Sequence, residues 1–244
     1  MQIDLRHLTK TYDNTRALDD VSLSIPAGMI VAVIGLNGAG KTTLLRCLGG
    51  IVAPTRGLLL MDGERFNRAR LDLRRRVSFL PDFPALYGHL SPLQHIALLL
   101  RVYERDASDL DECILAALRD LDLLALAETP MANLSRGQLY KAAFAALLAV
   151  QPELWLLDEP FASGLDPQGL AMVKQHARTA TAAGATILYT TQILEIAEKF
   201  ADLLVVLDHG QLRATYTRAE LAALPATGPD CLESRLRQFR EVTA

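Results

Sequence analysis

The stretch that decides the fold runs from residue 30 to residue 48 and reads IVAVIGLNGAGKTTLLRCL. Its first five residues are apolar and mostly β-branched, which is the pattern of a strand covered on both faces. A glycine-rich turn follows, and residues 42–48 then have the pattern of a helix that is closed by Gly49 and Gly50. The stretch therefore predicts a buried strand, a tight turn and a helix in immediate succession.

The turn in this stretch has the composition of a phosphate-binding loop. Residues 35–42 match the pattern Gly-x4-Gly-Lys-Ser/Thr, and they stand between a buried strand and a helix start, where that loop functions. Glycines allow the backbone N–H groups to turn inward around a β-phosphate, Lys41 supplies a cation toward the γ-phosphate, and the Thr42 hydroxyl is suited to Mg²⁺. The alternative is a glycine-rich turn that contains a lysine by chance. The nucleotide contacts that we predict are Gly35, Leu36, Asn37, Gly38, Ala39, Gly40, Lys41, Thr42 and Thr43.

Two carboxylates follow a second apolar strand at residues 154–157. Because the carboxyl ends of parallel strands meet at one edge of a sheet, we expect Asp158 and Glu159 to lie beside the phosphate loop. Asp158 is predicted to hold Mg²⁺ and Glu159 to polarise the attacking water. An acidic turn after a strand is common in isolation, and the preceding phosphate loop is what favours the catalytic interpretation.

The N-terminal segment and the segment after residue 84 predict two additions to this core. Apolar residues alternate in residues 3–8 and 21–25, on either side of a turn at residues 13–14, as in half-buried antiparallel strands. Helical patterns begin after Ser91-Pro92 and after Ser108. We therefore predict an antiparallel N-terminal β subdomain and an inserted helical subdomain at about residues 84–135.

Strand patterns return at residues 154–157, 186–190 and 203–207, with a helix from Asp166-Pro167 to near Gly184 between the first two, and the tail reads as a short strand and a helix. Strand, helix, strand is typical of a doubly wound parallel sheet. The predicted fold is therefore α/β, a phosphate-loop NTPase core with a parallel sheet, and residues 1–244 form one domain.

Composition limits the class of protein further. The net charge is only −3, which does not favour nucleic acid as a partner, and the three cysteines have no metal-ligand spacing. No apolar run approaches the roughly 18–20 residues that span a bilayer, and the N-terminus has no export-leader pattern. We expect a cytoplasmic protein whose membrane role, if any, depends on a partner.

The order of four motifs identifies a family. The phosphate loop is followed by Leu-Ser-Arg-Gly-Gln at residues 134–138, Leu-Leu-Asp-Glu-Pro at 156–160 and Ser-Gly-Leu-Asp at 163–166, and this order resembles the ATP-binding cassette (ABC) ATPases across essentially the whole chain. We call residues 134–138 the signature loop. The resemblance implies ATP and Mg²⁺ as cofactors and a dimer that sandwiches the nucleotide. It implies further contacts at Tyr12 for adenine, at Ser135, Gly137 and Gln138 for the opposite subunit's γ-phosphate, and at Asp166, which crosses the dimer interface. For Tyr12 the alternative is an ordinary strand aromatic.

Two positions depart from the family pattern, and both concern hydrolysis. Asp82 stands where the family usually has a glutamine that reaches Mg²⁺, and its carboxylate still offers oxygen to the metal on a shorter arm. Gln192 stands where the family has a histidine that organises the attacking water, and its amide can donate a hydrogen bond but cannot carry charge or move a proton. We predict tight ATP binding with slow hydrolysis, and the alternative is that glutamine substitutes adequately. Arg136 replaces the usual glycine of the signature loop, where we expect a solvent-facing side chain.

Three functions remain open from the sequence. The first is the ATPase subunit of a membrane transporter, with an acid at position 82 favouring an exporter, separate transmembrane permease subunits and a second ABC ATPase subunit as partners. Such a protein would sit peripherally on the inner face of the cell membrane. The second is a weakly hydrolytic or inactive ATP-dependent clamp that regulates or scaffolds a complex. The third, a cassette protein acting on ribosomes or DNA, is disfavoured because those relatives usually fuse two cassettes or insert a long coiled coil.

Overall fold

The computed structural model describes residues 1–105, 110–225 and 231–234, together with the backbone but not the side chain of Leu110. The predicted helix start at Ser108 lies outside the described residues. The strands are β1 (Ile3–Tyr12), β2 (Thr15–Ile25), β3 (Ile30–Ile34), β4 (Arg56–Met61), β5 (Glu64–Arg65), β6 (Val77–Leu80), β7 (Leu154–Leu157), β8 (Thr186–Thr191), β9 (Leu203–Asp208) and β10 (Gln211–Thr217). The helices are α1 (Lys41–Leu48), α2 (Leu71–Arg74), α3 (Pro92–Val102), α4 (Leu110–Asp120), α5 (Arg136–Val150), α6 (Pro167–Ala182), α7 (Leu194–Phe200) and α8 (Arg218–Ala223), with short 3-10 turns at Leu124–Leu126 and Met131–Asn133.

The strands form two sheets. The smaller sheet has the order β2-β1-β4-β5, and each of its neighbouring pairs is antiparallel. The larger sheet has the order β10-β9-β3-β8-β7-β6, in which five strands run parallel and β10 joins one edge antiparallel. The predicted fold class is confirmed, with an antiparallel N-terminal sheet beside a parallel core.

The central strand β3 separates two hydrophobic cores. Its residues Ile30, Ala32 and Ile34 belong to one core, while Val31 and Val33 belong to the other. Successive side chains of a strand point to opposite faces, so a strand buried between two cores must be apolar at every position. This arrangement explains the unbroken apolar run from which the fold was predicted.

The segment between β6 and α5 is mainly helical. Helix α3 begins with a capping box, in which the Ser91 hydroxyl accepts a hydrogen bond from the Gln94 backbone N–H and the Gln94 side chain accepts one from the Ser91 N–H. Helices α3 and α4 pack on α5 through Ile96, Leu100 and Leu118, which are buried. Residues 84–135 as a separate inserted unit stay a prediction. In the described ranges, no helix combines the length and the apolar character needed to cross a bilayer.

Candidate nucleotide-binding site

The parallel sheet brings three chemically important segments to one edge. The phosphate loop follows the end of β3, Asp158 and Glu159 follow the end of β7, and Gln192 follows the end of β8. Strand β8 lies between the other two, with Thr191 beside Ile34 and Tyr189 beside Leu157 in the register. The sequence predicted that Asp158 and Glu159 lie beside the phosphate loop, and the strand order brings them to the same edge.

Two glycines of the phosphate loop have no room for a side chain. A Cβ atom on Gly35 would lie 2.3 Å from the Leu207 carbonyl oxygen. Gly40 has φ = 100°, and a Cβ atom there would lie 2.4 Å from the Ala17 carbonyl oxygen. Gly40 is also the N-cap of α1, and no side chain caps that helix start. The N–H groups of the first turn are therefore left for an anion, which the helix dipole also favours.

The side chain of Lys41 is buried at the base of this loop. Its Nζ donates hydrogen bonds to the carbonyl oxygens of Gly35 at 2.8 Å and Leu36 at 3.2 Å. The same ammonium lies 3.5 Å from Oε1 of Glu159. A cation held between the loop and the acidic strand end is suited to a phosphate that enters the loop.

Asp158 is the centre of a buried hydrogen-bond network. The Thr42 hydroxyl donates to Oδ2 of Asp158 at 2.8 Å, and the Thr190 hydroxyl donates to Oδ1 at 2.6 Å. Thr42 and Asp158 thus present hydroxyl and carboxylate oxygens to one point, and oxygen is the donor that Mg²⁺ requires. The side chains present therefore fit a magnesium ion coordinated between β7 and α1.

Glu159 is held in an uncommon backbone conformation. Its φ is 48°, in the left-handed region that costs a non-glycine residue about 1–2 kcal/mol. The backbone N–H of Glu159 donates to the Thr190 hydroxyl at 2.8 Å, so Thr190 anchors both acidic residues. Stored strain of this kind clusters at functional sites, and here it fixes where the carboxylate stands.

Gln192 contacts the phosphate loop directly. Its Nε2 donates a hydrogen bond to Oδ1 of Asn37 at 2.9 Å. The side chain therefore takes a defined position over the loop, as the family pattern implies for this place in the sequence. The amide contacts the loop as a hydrogen-bond donor, and it is neutral and not titratable.

The signature loop and Asp166 lie in a second group of residues. Ser135 caps α5, and its hydroxyl and the Gln138 side chain form a reciprocal capping box. A Cβ atom on Gly137 would lie 2.8 Å from the Gly164 carbonyl oxygen, so the start of α5 packs closely on the segment before α6. Asp166 caps α6 by accepting from the Gly169 N–H at 2.6 Å. Within the described ranges, these side chains make no hydrogen bond to the phosphate loop of their own chain.

An ion pair joins Asp82 to Arg136. Both residues depart from the family pattern, and they stand on either side of the helical segment. Arg136 Nη2 lies 2.8 Å from Oδ1 of Asp82, and the two side chains remain 48% and 45% exposed. The sequence predicted a solvent-facing Arg136 and a metal contact for Asp82. Arg136 is exposed, as predicted, and its guanidinium also pairs with Asp82, because the loop after β6 brings this carboxylate to the start of α5. Metal contact by Asp82 stays a prediction.

Tyr12 lies at the end of β1 and is partly exposed. The Nζ atom of Lys10 lies 4.8 Å from the centroid of its ring, a cation–π contact. Stacking on adenine stays a prediction for this side chain.

Sequence reasoning missed Thr190, although it contacts both acidic residues. Its place in the strand next to β7 is the feature that would have identified it. Strand β8 lies next to β7, and Tyr189 pairs with Leu157. Thr190 comes directly after Tyr189, so it lies close to the two acidic residues that come directly after Leu157.

The fold and this edge of the sheet define a nucleotide-binding α/β protein with a phosphate loop and a paired acidic strand end. Residues 18–162, more than half of the chain, match the family model described as ABC transporter. The chain belongs to the ABC transporter ATP-binding family.

Relatives of known function agree with this assignment. The chain is 33% identical over 242 residues to the daunorubicin/doxorubicin resistance ATP-binding protein DrrA of Streptomyces peucetius, covering 96% of this chain and 70% of that protein. It is 35% identical over 233 residues to the sulfate/thiosulfate import ATP-binding protein cysA of Cucumis sativus, covering 93% of this chain and 66% of that protein.

Solved structures give the same result. The structure of an ATP-binding subunit of an ABC transporter superposes with a TM-score of 0.88 at 29% identity and covers all of both chains. A dimeric post-hydrolysis state of the cassette MJ0796 bound to ADP and Pi superposes with a TM-score of 0.81 at 26% identity, covering 88% of this chain and 98% of that one. The chain is therefore an ATP-binding subunit of the ABC transporter class.

Proposed function

We propose that this chain is the ATP-hydrolysing motor subunit of an ABC membrane exporter and that it turns over slowly. The observation that carries the proposal is the connected network at the sheet edge, in which Lys41 contacts Glu159, Thr42 contacts Asp158, and Thr190 anchors both acidic residues. These groups bind triphosphate, hold its metal and place a general base in one site.

Each residue of the network has a proposed role in hydrolysis. The phosphate loop and Lys41 bind and orient the β- and γ-phosphates, and Thr42 with Asp158 would hold Mg²⁺, which supplies charge neutralisation on the phosphates when bound. Glu159 orients the attacking water and accepts its proton. Its position is fixed by the strained backbone and by the hydrogen bond to Thr190.

Slow turnover is proposed from Gln192. Its amide reaches the loop through Asn37, so it is placed to contact a γ-phosphate but carries no positive charge. A hydrogen bond from a charged donor contributes about 1.5–3 kcal/mol, so its weakening corresponds to roughly 10- to 100-fold in rate.

Dimerisation around ATP is proposed from the second group of residues. Helix α5 begins at Ser135 and Gly137, and its N-terminus is the positive end of the helix dipole. This helix start is separate from the chain's own phosphate loop, so a phosphate bound by another subunit is a suitable ligand for it. Asp166 lies next to this helix start through the Gly137–Gly164 contact. The dimeric state of the related cassette MJ0796 supports this arrangement. The second subunit is either a copy of this chain or a different ABC ATPase.

The membrane partner is proposed to dock on the loop between β6 and α3. Phe83 and Tyr87 are 64% and 59% exposed there, and Leu86 is partly buried beside them. Apolar side chains this exposed suit a protein interface. A permease bound there would hold the chain on the inner face of the cell membrane. Export is favoured by Asp82 and by the drug-resistance relative, whereas the sulfate import relative supports uptake.

A second candidate function is an ATP-dependent clamp with weak or no hydrolysis. It is favoured by the Gln192 amide and by the ion pair that occupies Asp82. Affinity purification of the tagged chain from detergent-solubilised membranes separates the two functions. Recovery of an integral membrane protein in stoichiometric amount, dependent on Tyr87 and Phe83, supports the transporter. Recovery of a complex without any integral membrane protein contradicts it and supports the clamp.

A further inference from the structure

Arg136 contacts three parts of the chain at the start of α5. Its guanidinium forms the ion pair with Asp82 at 2.8 Å, lies 5.8 Å from the Phe83 ring centroid and is 3.4 Å from the Ala162 carbonyl oxygen. A Cβ atom built on Gly164 would lie 3.5 Å from Arg136 Cδ, so the aliphatic stem packs on that turn as well. The arginine is therefore fixed between the loop after β6 and the segment after Glu159.

Tyr140 lies one turn further along the same face of α5. Its side chain is fully buried, and its hydroxyl has no hydrogen-bond partner among the described residues. Burial raises the pKa of Tyr140, and the carboxylates of Asp82 and Asp158 raise it further. Strand β6 pairs with β7, with Leu80 beside Leu157, and the Asp158 N–H donates to the Leu80 carbonyl oxygen at 2.8 Å. Asp82, two residues after Leu80, therefore leaves the sheet edge next to Asp158.

We propose that Arg136 is a positioning residue that holds the Asp82 carboxylate against the signature loop and away from the Mg²⁺ bound by Thr42 and Asp158. The proposal rests on the proposed Mg-ATP site. Asp82 has a short side chain, and its Oδ1 is directed to the guanidinium. Pairing with Arg136 and binding the metal therefore compete for one carboxylate. Asp82 and Arg136 both depart from the family pattern, and they act together, because the arginine withholds a metal ligand that the aspartate would supply.

Metal affinity tests this competition without relying on turnover. We suggest titrating Mn²⁺ by EPR into the ATP complex of a Glu159→Gln parent, in which hydrolysis is blocked. The variants added to that parent are Arg136→Gln, Asp82→Asn and both together. Removal of the arginine charge frees Asp82, so we expect Arg136→Gln to bind Mn²⁺ about two- to fivefold more tightly, the range for loss of an exposed ion pair.

The other two variants make the test specific for Asp82. Asp82→Asn alone is expected to keep the parent's Mn²⁺ affinity, because the carboxylate is held away from the metal in the parent. The double variant is expected to show no gain. Two further variants serve as controls, and both are expected to match the parent's Mn²⁺ affinity. Arg136→Lys keeps the charge, and Arg75→Gln removes an exposed ion pair with Glu104 elsewhere.

Each outcome has a definite meaning. A gain in Arg136→Gln that disappears without Asp82 supports the proposal. An unchanged affinity in Arg136→Gln, a gain that persists without Asp82, or a loss in Asp82→Asn alone overturns it while leaving the ATP site intact. A parent that binds no Mn²⁺ with ATP overturns the proposed function together with this inference.

Discussion

Thr190 and Asp158 are joined by a buried hydrogen bond of 2.6 Å from the threonine hydroxyl to the carboxylate. The same hydroxyl accepts the backbone N–H of Glu159 at 2.8 Å. One uncharged side chain thus orients the acid that we propose holds Mg²⁺ and fixes the backbone of the proposed general base. The positions of both acidic residues therefore depend on one threonine of the neighbouring strand.

Replacing Thr190 by valine is expected to lower kcat at least about tenfold while the dissociation constant for ATP changes less than threefold. The loss follows because a hydrogen bond to a charged group contributes about 1.5–3 kcal/mol, whereas Lys41 and the phosphate loop are untouched. Steady-state hydrolysis and equilibrium nucleotide binding measure the two quantities. Thr186→Val is the matched control, since its hydroxyl donates to the Met1 carbonyl oxygen at the other end of β8. Equal rate losses in both variants would show a general packing defect and contradict the assignment.

Replacing Tyr140 by phenylalanine is expected to raise the free energy of unfolding by about 1 kcal/mol. The Tyr140 hydroxyl is buried and has no partner among the described residues, so its removal takes away a desolvation cost. Urea unfolding measures the change. The comparison is Tyr103→Phe, which removes a hydroxyl that donates to the Val77 carbonyl oxygen at 2.9 Å and is expected to lower stability by about 1 kcal/mol. A stability loss in Tyr140→Phe would mean that this hydroxyl is satisfied in solution.

Acid is expected to destabilise the fold through His95. Burial lowers the pKa of His95 below 6.5, and its Nδ1 has no hydrogen-bond partner among the described residues. The unfolded chain therefore takes up this proton at a higher pH than the folded chain does. Stability is unaffected above pH 6.5 and falls as the pH decreases below that value.

Thermal unfolding between pH 7.5 and pH 5.5 measures this effect. His95→Gln is expected to flatten the decline in Tm, whereas His89→Gln, at an exposed position of the same segment, is expected to leave it unchanged. A decline that is equally steep in His95→Gln and in the parent would assign the acid sensitivity to other groups.

The fold could be predicted from the sequence because the patterns that indicate it lie within short continuous segments. The unbroken apolar run of β3 indicates burial on two faces, and the glycines before Lys41 indicate a tight turn. In that turn a side chain on Gly35 or Gly40 would collide with a carbonyl oxygen. The Asp82–Arg136 pair was not predictable in the same way. Those residues are 54 positions apart, and their meeting depends on how α5 packs against the loop after β6. Thr190 was missed because its role depends on its neighbour strand and not on any motif of its own.

Steady-state ATP hydrolysis by the purified chain, with Glu159→Gln as the blank and Gln192→His beside it, tests the proposed slow ATPase most directly. We expect measurable turnover above the blank and a rate about 10- to 100-fold higher in Gln192→His, because the histidine adds a donor that can carry charge. Nucleotide binding should be similar in all three proteins. No difference between the parent and Gln192→His would contradict slow hydrolysis at Gln192, and no turnover above the blank in either protein would contradict the ATPase assignment itself.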